Sequence, residues 1–241
     1  MVVATVCALA GVVVLLSLAR WQALRATWKE GLIAELSQRL AASPVGLPAR
    51  DDWRDLRADT SEFVRVAFLA EFEPGEEALV YTTGSSMRPD VKGVGYWVLS
   101  PARPVSGGVV VVNRGFVPEG RQDAKDGGRP AGPTKIVGIM RWPETPGIFT
   151  PAGDPARNLW FARDHQAIAN AKGWGQVAPF YIEQEAPTVA GNLPQAGTLV
   201  PDLPNNHRQY EITWAGLAIV LVVVFGVFFQ RWYRNEGNAG N

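Results

Sequence analysis

The chain has 241 residues with 23 basic and 23 acidic side chains, so net charge gives no electrostatic reason to assign nucleic acid as its main partner. Apolar residues make up 47% and charged residues 19%, below the roughly 25% charge of an ordinary soluble domain. A single cysteine, Cys7, excludes an intrachain disulfide and a cysteine-based zinc site.

The charge deficit is localised, because Val2–Ala19 and Ile212–Phe229 carry no charge at all. As helices these runs are about 27 Å long, enough to cross a thin hydrocarbon core. Ser17-Leu18-Ala19 resembles a signal-peptidase site. No basic stretch precedes it, however, and Trp21 and Trp28 follow like interface anchors, so the first run is read as a retained span. The second run is framed by Tyr210 and Trp214 at one end and Trp232 and Tyr233 at the other, as expected of two membrane interfaces. Two spans put both termini on one side. Flanking charge does not say which, since Arg231 and Arg234 argue against Arg20, Arg25 and Lys29.

Beyond the first run, Trp21, Leu24, Trp28, Leu32, Leu36 and Leu40 recur at helical spacing, an amphipathic stem ending near Ser43-Pro44. Strands are expected at Phe63–Phe72, Ala78–Thr83, Gly95–Ser100, Val109–Val112 extending to Val117, Lys135–Trp142, Leu159–Ala162 and Pro179–Ile182. Turn signals separate them at Pro74-Gly75, Gly107-Gly108 and residues 127–132. Asp164–Gly173 reads as one short helix with Asp164 as N-cap. The expected fold class is membrane α+β: two transmembrane helices flank a β-rich, antiparallel sheet or barrel-like domain with a few helices. The expected segments are a first span at 1–20, the stem at 21–43, an extracytoplasmic β-rich domain at 44–190, a connector at 191–206, a second span at 207–230 and a cytoplasmic tail at 231–241.

Catalytic constellations are absent from the sequence. Two histidines, His165 and His207, cannot make a histidine-rich metal site, and no hydrolase, zincin or phosphate-loop motif occurs. Asp51-Asp52 and Glu76-Glu77 read as solvated carboxylates, and His165 as a surface residue. Asn113-Arg114-Gly115 ends the most β-branched strand and has two readings: a bulge or turn in which Gly115 needs backbone freedom, or an arginine presented to a carboxylate. His207 stands immediately before the second run, with Asn206 as a possible N-cap and Gln209 at N3. It is either a solvated interfacial histidine or an axial haem ligand.

These residues, in order, resemble the Surfeit-locus (Shy-type) family of cytochrome c oxidase assembly proteins. Trp21-Gln22, Arg25, Trp28-Lys29 and Leu32-Ile33 are similar to its W-Q-x-x-R-x-x-W-K-x-x-L-I. Arg65-Val66, Gly95-Tyr96 with Pro101, and the run from Val112 to Pro118 resemble its R-V, G-Y and V-N-R-G-W-V-P segments. Arg141, Pro143-Glu144, Phe149 with Pro151, and Trp160 with Asp164 fit the family's next stretch, and residues 203–214 resemble L-P-N-N-H-x-Q-Y-x-x-T-W. Phe116 stands where the family usually has Trp, Ala19 and Ala70 where glycine is common, and Arg208 and Glu211 add charge at the outer end of the second span.

The resemblance implies two spans, a bacterial inner-membrane location with both termini cytoplasmic, a periplasmic domain, and no enzymatic activity. It further implies help in delivering or retaining haem a during maturation of oxidase subunit I. His207 would be the axial ligand, with Gln209, Tyr210 and Trp214 orienting the ring or covering the macrocycle. Partners would be oxidase subunit I, other oxidase subunits or assembly factors, membrane lipid and haem a synthase. The alternative is a structural chaperone or stable accessory subunit of the oxidase that binds no cofactor.

Overall fold

The computed structural model describes residues 1–75, 77–123, 129–187, 193–201 and 204–239. Glu76, residues 127 and 128 of the expected turn, residues 191, 192, 202 and 203 of the expected connector and the end of the tail lie outside these residues. Two compact units are present, Met1–Glu35 with Leu203–Asn241, and Leu36–Asp202.

The first unit consists of two helices, the body of α1 (Val2–Ala41) and α4 (His207–Ala239). Both are long and apolar enough to cross a membrane. The contacts Gly11 with Leu221, Gln22 with His207 and Lys29 with the Pro204 carbonyl run in opposite chain directions, so the helices are antiparallel. Small residues make the seam: Ala19, Ala26 and Ala218 are buried, and a Cβ on Gly11 would lie 3.0 Å from Leu221 Cδ2. The apolar stripe of the stem points elsewhere. Trp21, Leu24, Trp28 and Leu32 are exposed while Gln22 is buried, so small size and a polar contact, not the Trp/Leu stripe, select the face of α1 that meets α4.

Among the described residues, the second unit is built on a sheet of eight strands: β1 (Val45–Gly46), β2 (Arg65–Phe72), β3 (Ala78–Gly84), β4 (Lys92–Pro104), β5 (Val109–Pro118), β6 (Thr134–Arg141), β7 (Leu159–Trp160) and β8 (Val177–Ala186). Their order is β1-β2-β6-β8-β5-β4-β3-β7. A further β2–β4 pairing closes β2, β6, β8, β5 and β4 into a ring. β4 makes closure possible by its length. Its first half pairs with β3 and its last residues with β2, and its register against β5 shifts between Trp97 and Leu99, as at a bulge that bends a strand. The expected antiparallel sheet is in fact mixed. Hairpin neighbours are antiparallel, but β1–β2, β3–β7 and β5–β8 are parallel, and none of those three pairs is joined by a tight turn.

One face of each ring strand supplies Val66, Ala70, Ala102, Val110, Val112, Ile136, Met140, Phe180 and Ile182 to a single core, which is the ring interior. Trp53, from a 3₁₀ turn at Arg50–Arg54, joins that core edge-on to Phe180. The opposite face of β4, β5 and β8 contributes Trp97, Leu99, Val111, Phe116 and Tyr181 to a second core. α3 (His165–Lys172) adds Ile168, and β3 and β7 add Val80 and Trp160. Val109–Val117 is therefore buried on both faces, which explains the uninterrupted β-branched run Val109–Val112 where a one-sided strand would alternate.

The expected strands are present, with shifted ends. β2 starts at Arg65 because Phe63 sits at φ 66°, outside the β region. Asp164 caps α3 by accepting from Ala167 N at 3.1 Å, and Gly173 ends it at φ 69°. A four-residue helix α2 (Ala58–Ser61) and the two-residue β1 carry no pattern that predicts them. The described part of the connector is no loose linker: Gln195 and Phe116 exchange two backbone hydrogen bonds, and Leu199 is buried.

Candidate functional site

Three polar constellations stand out, two in the sheet domain and one in the helix pair. At the end of β5 all three residues of Asn113-Arg114-Gly115 are internal. Asn113 Nδ2 donates to both oxygens of Glu183 at 3.0 Å, and its Oδ1 accepts from Gly115 N at 3.1 Å. Arg114 donates from Nη1 to Glu77 Oε1 at 2.5 Å. Glu77 also accepts from Ser100 Oγ at 2.7 Å and pairs with Arg129 at 3.1 Å. The expectation of a solvated Glu77 is therefore wrong: its side chain is 1% exposed, since β3 carries it under β4 and β5 to an arginine 37 positions away. Of the two readings of this motif, the structural one describes it: the carboxylate held by Arg114 is the protein's own. Asp51 and Asp52 are exposed, as expected.

Glu183 on β8 links this motif to a second pair. Arg163 donates to Glu183 at 3.3 Å and to Glu144 through Nε at 3.0 Å and Nη2 at 2.5 Å. Burial alone would raise the Glu144 carboxyl, but the charge and hydrogen bonds of Arg163 hold it below the ordinary carboxylate range. Beside them Tyr181, fully buried, is pushed up to about 12 by desolvation. Glu144 and Glu183 share the Arg163 guanidinium, an arrangement that suits a rigid scaffold and not proton transfer.

His165 is also a correction. It is fully buried at the first turn of α3, not at the surface, because α3 docks its Ile168 face on β8 and takes the ring with it. Nε2 faces the Ala178 carbonyl at 2.9 Å and therefore carries the proton, while Nδ1 is buried without a partner. Burial depresses its pKa, outweighing the opposing pull of the Ala178 carbonyl and the Asp164 carboxylate. The unfolded chain binds a proton near pH 6.5, whereas the folded domain resists it. The stability held by neutral His165 is therefore complete above about pH 6.5 and is lost as pH falls through the depressed folded value. The melting temperature should drop between about pH 7.5 and pH 5, and His165→Gln should flatten that slope. An identical slope in the variant would assign the effect to other groups.

In the helix pair, His207 is half-buried at the start of α4, and Asn206 accepts the first helical bond from Tyr210 N at 3.2 Å. Its Nδ1 lies 2.7 Å from Gln22 Oε1. A carboxamide oxygen only accepts, so Nδ1 carries the proton and Nε2 presents a lone pair, with no partner for it among the described residues. This tautomer leaves Nε2 able to ligate a metal, with the other nitrogen fixed by an outer hydrogen bond. Tyr210 and Trp214, three and seven positions on, share the His207 stripe of α4, whereas Gln209 points to another side. Trp214 Nε1 is buried without a hydrogen-bond partner, as is Asn205 Oδ1. The next residue, Arg208, pairs with Glu30 at 3.1 Å and with Glu211 at 3.3 Å, so the added charges at this end neutralise one another. Donor and acceptor types here fit a haem: one imidazole nitrogen with a free lone pair, an aromatic stripe and an orphaned N–H donor. Among the described residues no group of three or more His, Cys, Asp or Glu could hold a bare metal ion.

The model of the SURF1 family matches residues 9–219. The chain belongs to the SURF1 family. Its relatives include Surfeit locus protein 1 of mouse, 32% identical over 231 residues covering 90% of this chain and 72% of the relative. The rat protein of the same name is 33% identical over 229 residues, covering 89% and 72%. The human one is 32% identical over 214 residues, covering 83% and 69%. SURF1 membership carries a general, non-catalytic role in the assembly of cytochrome c oxidase. It also corrects the expected location. The matched relatives are predominantly eukaryotic, including frog and pufferfish proteins besides the mammalian ones, so placement in a bacterial inner membrane with a periplasmic domain does not stand.

Sequence reasoning left Gln22, Arg163 and Glu183 without roles. Only Gln22 had a signal, a polar residue beside Trp21 at the mouth of an apolar run.

Proposed function

We propose that this SURF1 protein assists oxidase assembly by holding haem a through His207 while the cofactor is delivered to, or retained by, subunit I. The observation supporting this is the Gln22–His207 hydrogen bond at 2.7 Å, which leaves Nε2 as the lone-pair nitrogen. If bound, haem would be held by the neutral His207 imidazole and would supply an iron centre able to accept that nitrogen's lone pair. Gln22 orients the ring, Tyr210 offers an aromatic surface, and Trp214 Nε1 is a donor with no internal partner. Gln209, on another side of α4, would act only through the helix backbone. A single protein ligand suits a carrier that must also release. Partners under this reading are subunit I, other oxidase subunits and assembly factors, haem a synthase and membrane lipid. Segments 1–20 and 207–230 would cross the membrane, with both termini on one side and the sheet domain on the other.

Expression with haem a biosynthesis tests it. The purified wild type should show a Soret band near stoichiometric yield, and His207→Ala should lose most of it while remaining inserted. Gln22→Leu, which removes only the orienting bond, should weaken haem binding by about 10–100-fold. Full occupancy with an unchanged spectrum in His207→Ala would rule out axial ligation by His207. A wild type that never acquires haem yet restores oxidase assembly would favour the cofactor-free chaperone.

A further inference from the structure

A cleft of about 1010 Å³ lies within the sheet domain, over the 3₁₀ turn at Arg50–Arg54. It shares no residue with the His207 site. In sequence the segment Arg50-Asp51-Asp52-Trp53-Arg54-Asp55-Leu56-Arg57 alternates charges and reads as a neutral surface. The fold sorts them. Arg50, Arg54 and Arg57 all line the cleft, whereas of the three aspartates only Asp51 does. The three arginines meet at the cleft through the 3₁₀ turn and the extended residues that follow it, Arg57 having φ −123° and ψ 147°.

These three arginines differ from the paired arginines of the sheet. Arg65, Arg88, Arg103, Arg114, Arg129, Arg141 and Arg163 each pair with a carboxylate of the same chain. Arg50, Arg54 and Arg57 are exposed, and no carboxylate pairs with them among the described residues. Trp53 and Trp142 form an apolar wall, both packed on Phe180, and the Trp53 N–H is already used by the Pro48 carbonyl at 3.0 Å. The remaining polar wall is made of carboxamides, Gln166, Asn170 and Gln176. A carboxamide offers both a donor and an acceptor, the complement of a peptide unit. Guanidinium groups complement carboxylates, and the volume, at the upper end for ligand sites, exceeds what a small anion needs.

We infer that this cleft binds an acidic, extended peptide segment of a partner protein, with its carboxylates on Arg50, Arg54 and Arg57 and its apolar side chains against Trp53 and Trp142. The inference is independent of haem binding, since none of these residues touches His207 or Gln22.

Fluorescence anisotropy on the full chain in phosphatidylcholine nanodiscs tests it, using a labelled Glu-Leu-Glu-Leu-Glu-Leu peptide and its Gln-Leu counterpart. The acidic peptide should bind at least about tenfold more tightly than the neutral one at low salt, and the triple Arg→Gln variant should lose that factor. The triple Arg→Lys variant, which keeps the charge, should recover part of it, and Asp51→Asn should tighten binding. The three arginines are exposed, so melting of the Gln variant should match wild type; if it does not, the single Arg54→Gln carries the comparison. Equal affinity for both peptides, unchanged binding after Arg→Gln, or no saturable binding would overturn the assignment. Displacement by inorganic phosphate as effective as by unlabelled peptide would show a small-anion site, and would overturn it too.

Discussion

Glu77→Leu is expected to destabilise the sheet domain by about 3–5 kcal/mol, with a fall in melting temperature of roughly 10 °C or more. The reason is what remains. Arg114, 4% exposed, would lose the Glu77 carboxylate from the space between β3, β4 and β5, and Ser100 and Arg129 would each lose a contact. The intact pair need not be strongly stabilising in itself. Both ions lost their water on folding, and Glu77 Oε2 has no hydrogen-bond partner to offset that cost. Breaking the pair is therefore more costly than never having had it, and the double variant Glu77→Leu/Arg114→Leu should be more stable than Glu77→Leu alone. Thermal melting of the detergent-solubilised chain measures both. A single-variant loss within about 0.5 kcal/mol, the range of surface substitutions, would show that the site is wetter than this geometry allows. Oxidase yield, measured in parallel, should follow stability and not the identity of residue 114.

Gly115→Val is expected to have an effect of similar size through the backbone. Gly115 sits at φ 126°, a conformation that side-chain-bearing residues rarely adopt. A Cβ there would lie 2.3 Å from the Gln195 carbonyl carbon and oxygen and 2.5 Å from Ala196 N. None of these atoms is the free end of a side chain. The strap at Gln195 would have to leave the sheet, giving up the bonds from Phe116 N to Gln195 O at 3.1 Å and from Gln195 N to Phe116 O at 2.7 Å. Strain of about 1–3 kcal/mol and roughly 1 kcal/mol for each bond together exceed an ordinary substitution. Even Gly115→Ala should melt well below wild type and expose residues 193–201 to protease. An alanine variant with unchanged melting and protease resistance would show that the strap is not seated on β5.

Several features were legible from local pattern alone because their cause is local. Uncharged runs with aromatic ends specify the two long apolar helices. A β-branched run specifies β5, and an Asp followed by helix formers and then Gly specifies α3 between Asp164 and Gly173. The His207 segment stood out because a histidine beside an apolar run is rare. What the sequence could not reveal depends on partners far along the chain. Glu77 reads as solvated until β3 and β5 bring Arg114 over it, and His165 reads as exposed until α3 docks on β8. Ring closure depends on three pairs between the ends of β2 and β4, which no periodicity encodes. Likewise Arg50, Arg54 and Arg57 look neutralised by the aspartates beside them in sequence. Local chemistry sets which element each segment forms. Whether a charge meets water, an opposite charge or the wall of a cleft is decided only when distant elements pack.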